Sequence, residues 1–163
     1  VSVRTRKKLI EVALPLDAQA APRGAERERD LAEAAAIADR ALAIKTKTLD
    51  ASHPDLAAGM SVVAEVARTR GDFRGALTMD QRAMAIQERT LGPKSAHVAK
   101  SLVSIGETRL AQKKPALAAG PLDRAVANLE AGHGDKLVLA NARFALARAS
   151  SASSPAAVIA PLP

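Results

Sequence analysis

Hydrophobic positions recur along this chain in steps of three and four. Leu56, Met60, Val63 and Ala67 form one such series, and Val98, Leu102 and Ile105 repeat its register until Arg109 ends it. A second series, Phe73, Ala76, Leu77, Ala83, Met84 and Ile86, follows the first. This spacing puts apolar side chains on one helix face, and the stretches are longer than a strand, so each is predicted to be an amphipathic helix. The punctuation agrees. In Ser52-His53-Pro54-Asp55 either Ser52 or His53 can cap a helix. Pro54 there needs no amide partner in the first turn, and Asp55 suits the positive end of the dipole. Gly71-Asp72 separates two helices and Gly92-Pro93 ends the next. Lys113-Lys114-Pro115 takes the place of Gly71-Asp72-Phe73, with Pro115 in a first turn. The pattern predicts seven helices, over roughly 4–14, 26–49, 53–70, 73–91, 95–112, 116–131 and 136–150. Pro15, Pro22 and Gly24 mark 15–24 as a linker, so residues 1–24 are expected to hold an N-terminal helix and that linker. The small-residue, Pro-bearing stretch 151–163 is expected to be a disordered tail.

The helices also repeat in pairs. Arg40-Ala41-Leu42-Ala43-Ile44 returns as Arg82-Ala83-Met84-Ala85-Ile86 and again as Arg124-Ala125-Val126-Ala127-Asn128, at intervals of about 42 residues. Thr48-Leu49 matches Thr90-Leu91, Ala57 matches Ala99, Glu65 matches Glu107, and Ala76 matches Ala118. The array is expected over 25–150: a half unit at 26–49, units at 53–91 and 95–131, and a terminal helix at 136–150. The expected fold class is all-α, a superhelix of antiparallel helix hairpins, in which the equivalent residues Ala41, Ala83 and Ala125 are core contacts.

Composition supports helix on helix. Roughly a quarter of the 163 residues are alanine, and aromatic residues amount to 1%, namely Phe73 and Phe144. A core without large rings must bring small side chains close together, which suits helices and not aromatic-hungry sheets. The absence of cysteine removes disulfides, thiol nucleophiles, thiolate metal sites and iron–sulfur clusters, and accords with an expected cytoplasmic location. No apolar run approaches the roughly 18 residues of a membrane span. The basic start Val1–Lys8 is followed by an apolar stretch broken by Glu11 and Pro15, which is unlike a secretory signal. The chain begins with Val, from which we expect a piece of a longer protein.

Formal net charge is +7 with 24 Lys and Arg against 17 Asp and Glu. The basic residues are scattered, at Arg4–Lys8, Arg23–Arg29 and Lys113-Lys114, without aromatic residues beside them to stack on bases. Solvated helix faces therefore explain them better than nucleic-acid binding, which would need one basic face and steep salt dependence. His53, His97 and His133 are too dispersed for a metal site, and cap or turn positions account for them. Ser52, His53 and Asp55 are contiguous in sequence and not assembled as a triad. Gly92-Pro93-Lys94 is not a phosphate loop. No catalytic, cofactor-binding or metal-binding residue is assigned, so the chain is expected not to be an enzyme.

The stretches His53-Pro54-Asp55-Leu56-Ala57, Gly71-Asp72-Phe73-Arg74-Gly75-Ala76 and Gln81-Arg82-Ala83-Met84-Ala85-Ile86-Gln87-Glu88-Arg89-Thr90-Leu91-Gly92-Pro93 together resemble the tetratricopeptide repeat. The resemblance is to its longer variety of about 42 residues, as in kinesin light chains, and it covers about residues 31–149. Ala67 and Arg109 stand where the family usually has Tyr, Lys113 where it has Gly, and Asp80 at a second-helix aromatic position. Ala142-Arg143-Phe144-Ala145-Leu146-Ala147-Arg148 more loosely resembles the last helix in C-terminal regions of some bacterial Ser/Thr protein kinases. No kinase motif is present, so that resemblance implies a non-catalytic regulatory part at most.

What the repeat resemblance implies is a protein-interaction scaffold. In that family the first helix of each unit lines a concave surface. Here those positions hold Ser61, Glu65 and Arg68, then Lys100, Val103 and Glu107, then Asn141, Phe144 and Arg148. Mixed charge with a few apolar anchors suits a peptide or partner helix. The family's carboxylate-clamp pattern is not met at Ser61, Glu65, Val103 and Glu107. Glu65 and Glu107 are expected to lie roughly 10 Å apart on one groove, the spacing of packed helices. A protein or peptide is the expected partner, with no membrane, and a basic helical protein that binds nucleic acid is the less favoured alternative. The pattern implies no particular oligomeric state.

Overall fold

Alanine-rich segments with frequent breakers produce a row of short helices joined by tight turns. The structure, a computed structural model, describes residues 16–132 and 135–153. The helices are α1 (Leu16–Thr48), α2 (Pro54–Thr69), α3 (Phe73–Leu91), α4 (Ala96–Ala111), α5 (Pro115–Ala131) and α6 (Lys136–Ser153). The expected helix at 4–14, the turn at His133 and the tail from 154 onward fall outside the described residues.

The ends follow from local chemistry. His53 caps α2 by accepting the Asp55 amide on Nδ1 at 3.1 Å. Asp72 caps α3 by accepting the Gly75 amide at 2.9 Å. Ser95 caps α4 through Val98 at 3.3 Å. Gly71 and Gly92, at φ of +82° and +85°, turn the chain after α2 and α3. Lys113 sits at φ +59° in the corresponding turn after α4, a conformation that strains a residue with a Cβ.

Two boundaries correct the sequence reading. Residues 16–24 belong to α1 and not to a linker. Pro22 removes one backbone bond, but Ala18, Ala20 and Ala21 before it and Ala25 to Arg29 after it favour helix strongly enough to continue. At the other end α6 runs to Ser153, so 151–153 are helical, with Ser151 Oγ donating to the Arg148 carbonyl at 3.2 Å.

Each helix packs on the next in antiparallel fashion. In addition α2 meets α4 and α4 meets α6 backbone to backbone, whereas among the described residues α1, α3 and α5 keep their backbones apart and α3 and α5 meet through side chains, Arg124 with Glu88. One row is close and the other splayed, so the stack curves with α2, α4 and α6 on its inner side. Twelve of the 22 buried hydrophobic residues described are alanine, which is what lets the axes approach. Leu56, Ala57, Met60, Ala83 and Ile86 form one cluster, and Val98, Ala99, Leu102, Ala125, Leu129 and Ala142 another. Ala118, Leu122, Ala145 and Ala149 close the far end.

Ala83 and Ala125 are fully buried, as the repeat predicts, but Ala41 is exposed. The reason is position: among the described residues α1 packs mainly against α2, on the face of Ala35, Ala38 and Leu42, and no described helix covers its opposite face. Ile37 and Ile44 are exposed with it, and Leu137 and Phe144 are exposed at the other end of the stack. A one-dimensional array leaves such faces at its terminal helices.

Candidate partner-binding cleft

A cleft of about 420 Å³ opens between α2 and α4 on the inner side of the stack, with α3 as its floor. Its walls follow from how each helix buries its apolar face. α2 commits Leu56, Ala57, Met60 and Ala64 to the core, which turns Ser61 and Glu65 towards the cleft. α4 commits Val98, Ala99 and Leu102, which leaves Lys100 and Ser104 on the opposite wall.

The floor is polar and bonded. Gln87 Oε1 accepts from Ser101 Oγ at 2.9 Å. Asp80 Oδ2 accepts from Ser104 Oγ at 2.6 Å, and Asp80 as a whole is 1% exposed. Its other oxygen, Oδ1, is buried without a hydrogen-bond partner. Burial pushes the Asp80 carboxyl up to about 6; the Ser104 bond and the Arg68 charge oppose that shift, and Glu65 and Glu107 add to it. At the end of the cleft Arg68 forms ion pairs with Glu65 and, at 3.4 Å, with Glu107. Arg68 Nε is also buried without a partner. Three carboxylates thus surround one guanidinium, where the sequence suggested only two glutamates standing apart.

Of the nine residues expected to line a binding surface, Ser61, Glu65 and Lys100 line this cleft, and Arg68 and Glu107 meet at its end. Val103 is a correction: it is 8% exposed and belongs to the core cluster with Ala125 and Ala142. Because α4 has neighbours on several sides, the α4 face that carries Val103 is covered by α5 and α6. Asn141, Phe144 and Arg148 are exposed on α6 and do not line the cleft. Phe144 is 67% exposed, so it does not close the core; the Arg148 guanidinium lies 5.9 Å from its ring centroid.

Sequence reasoning passed over Asp80, Gln87, Ser101 and Ser104. A signal was present. Ala76, Asp80, Ala83 and Gln87 share one face at steps of four, three and four, and the two alanines on it are fully buried. Polar residues on a core face call for partners. Among the described residues no group of three or more His, Asp or Glu side chains is arranged to hold a metal ion, and no helix is long and apolar enough to cross a membrane.

The comparisons with known proteins agree with this architecture. A tetratricopeptide repeat family model matches residues 25–88 and 60–131, which together are more than half of the chain. Two solved structures of a kinesin-light-chain candidate from Podosopora anserina, described as nearly identical TPR-like repeats, superpose with TM-scores of 0.63 (a form carrying one substitution) and 0.61. Each is 23% identical to this chain and covers 80% of it, which establishes likeness of fold. The chain in turn spans 62% of each neighbour's length. Among curated proteins none matches.

Proposed function

We propose, from the premise that the chain belongs to the tetratricopeptide repeat family, that it is a protein-interaction scaffold whose α2–α4 cleft receives a peptide or helix of a partner. One observation carries this reading. The inner wall of the array is an open cleft of mixed lining over a polar floor already held in place by the Gln87–Ser101 and Asp80–Ser104 bonds. Side chains fixed in advance lose little freedom when a partner binds, which is how a concave surface gains affinity. The site recognises rather than transforms, so the chain acts as a non-catalytic module, and we place it in the cytoplasm. The basic residues are scattered along the chain and no aromatic residue stands beside the basic clusters to stack on a base. That favours a protein partner over nucleic acid.

The test uses peptides selected from a displayed random library against the whole chain. Lys100 is exposed and Ser61 half-buried on the facing walls. The pair Ser61→Arg and Lys100→Glu should weaken the selected peptides while the melting curve stays within about 2 °C of the parent, since Lys100 is exposed and Ser61 borders the open cleft, not the core. Binding that survives both changes would place the interaction elsewhere.

A further inference from the structure

Local charge at the Arg68 end of the cleft runs against the charge of the whole. The chain carries +7, yet Glu65, Asp80 and Glu107 share the single guanidinium of Arg68. Asp80 is almost wholly buried at the cleft floor, and its Oδ1 accepts no hydrogen bond. An ionised carboxylate so placed is costly unless a positive partner reaches it. Arg68 is largely committed to the two glutamates. Swinging its Nε towards Oδ1 would satisfy both orphaned atoms and leave the surplus negative charge unchanged. Among the described residues no group of three or more His, Asp or Glu side chains is arranged to hold a metal ion, so the positive partner is sought among side chains, not metals.

We infer that this end of the cleft selects a basic side chain, a lysine or arginine carried by an extended segment of a partner protein, with Asp80 as its buried anchor and Glu65 and Glu107 at the rim. The inference rests on the reading of the cleft as the peptide site. A long basic side chain suits the place because its stem lies along the apolar walls while its head reaches the carboxylates. Binding should favour the ionised form of Asp80. Arg68 and Glu65 on α2 and Ser104 and Glu107 on α4 are the polar and charged groups that face it. Affinity should therefore fall as the pH drops from neutral through about 6.

Peptides from a random displayed library, selected on the whole chain and then synthesised, test the proposal. Expected are sequences with Lys or Arg at one fixed position, at least about tenfold weaker on Asp80→Asn or Glu107→Gln and on replacement of that basic residue by Ala. Asp80→Asn keeps an acceptor for Ser104 and is expected to fold. The wild-type protein's pH profile gives the same answer without any variant. Peptides that compete at Lys100 but carry no fixed basic position, or whose affinity does not change with pH, would overturn the inference and leave the peptide-site reading standing. Failure to select any peptide sensitive to the cleft would overturn both. Self-association lost in Asp80→Asn would place a second copy of the chain there and overturn the choice of partner.

Discussion

Replacing Gly106 by alanine sets two effects of known size against each other. Gly106 is buried in the middle of α4, where glycine costs about 0.5–1 kcal/mol relative to alanine in helix propensity. On propensity alone Gly106→Ala should stabilise. A Cβ built there, however, lies 2.5 Å from Leu122 Cγ and 2.6 Å from its Cδ2. Leu122 on α5 is fully buried and packed with Ala118, Ala145 and Ala149, so moving it aside disturbs those contacts. Overfilling such a site costs typically about 1–3 kcal/mol. The clash outweighs the propensity gain, and a net loss of about 1–2 kcal/mol should lower the melting temperature by roughly 2–8 °C in a chain of this size. The same change in a Leu122→Ala background should reverse sign. Leu122→Ala itself costs about 2–5 kcal/mol, but with the obstructing side chain gone only the propensity gain of Gly106→Ala remains. Thermal and denaturant unfolding followed by circular dichroism on the four proteins gives the coupling. If Gly106→Ala destabilises equally in both backgrounds, or stabilises the parent, the α4–α5 contact is not the tight crossing described.

Lys113→Gly should raise the melting temperature by removing left-handed strain at φ +59°, a gain of about 1 kcal/mol; an unchanged or lower value would show that the turn is unstrained. Ala83→Leu should lower it by several degrees and Ala32→Leu by almost nothing, because Ala83 is fully buried between Met60 and Ile86 while Ala32 is exposed; equal shifts would mean a wrong register. Asp80 gives a pH signature. Folded, it keeps its proton to about 6, whereas unfolded it loses it near 3.8. The native state therefore holds the extra proton between those values, and this group's contribution to stability falls as pH rises through that window. Asp80→Asn should flatten that part of the stability–pH profile and stabilise the protein at neutral pH by on the order of 2 kcal/mol; an identical profile would show the carboxyl to be solvated. Glu107→Lys should destabilise as well as alter binding, because it leaves Arg68 beside a like charge; an unaltered melting curve would dissolve the Arg68–Glu107 pair.

The ends of α2 and α3 were legible because their signals are local. His53 capping, Pro54 in a first turn and the glycines at 71 and 92 act on the few residues beside them. The start of α1 was not, since Pro22 and Gly24 read as breakers while the helix-forming run around them outweighs a single lost bond. Three-and-four spacing identified the right faces but not what covers them. Val103 is covered because α4 lies mid-array, and Ala41 is bare because α1 lies at the end of the described array. The Asp80–Ser104 bond joins residues 24 apart on different helices, and Asp80 alone looked like a departure from the repeat. Its meaning appears only when α3 and α4 are placed side by side.

The claim on which the rest depends is that partners enter the α2–α4 cleft. Titrating isotope-labelled protein with a library-selected peptide and following backbone amide resonances tests it most directly. The account predicts saturable shifts clustered at Ser61, Glu65, Lys100 and Ser104, with α1 around Ile37 and Ile44 unmoved. Shifts centred on Ile37 and Ile44, or on Leu137 and Phe144 of α6, with the cleft silent, would contradict it.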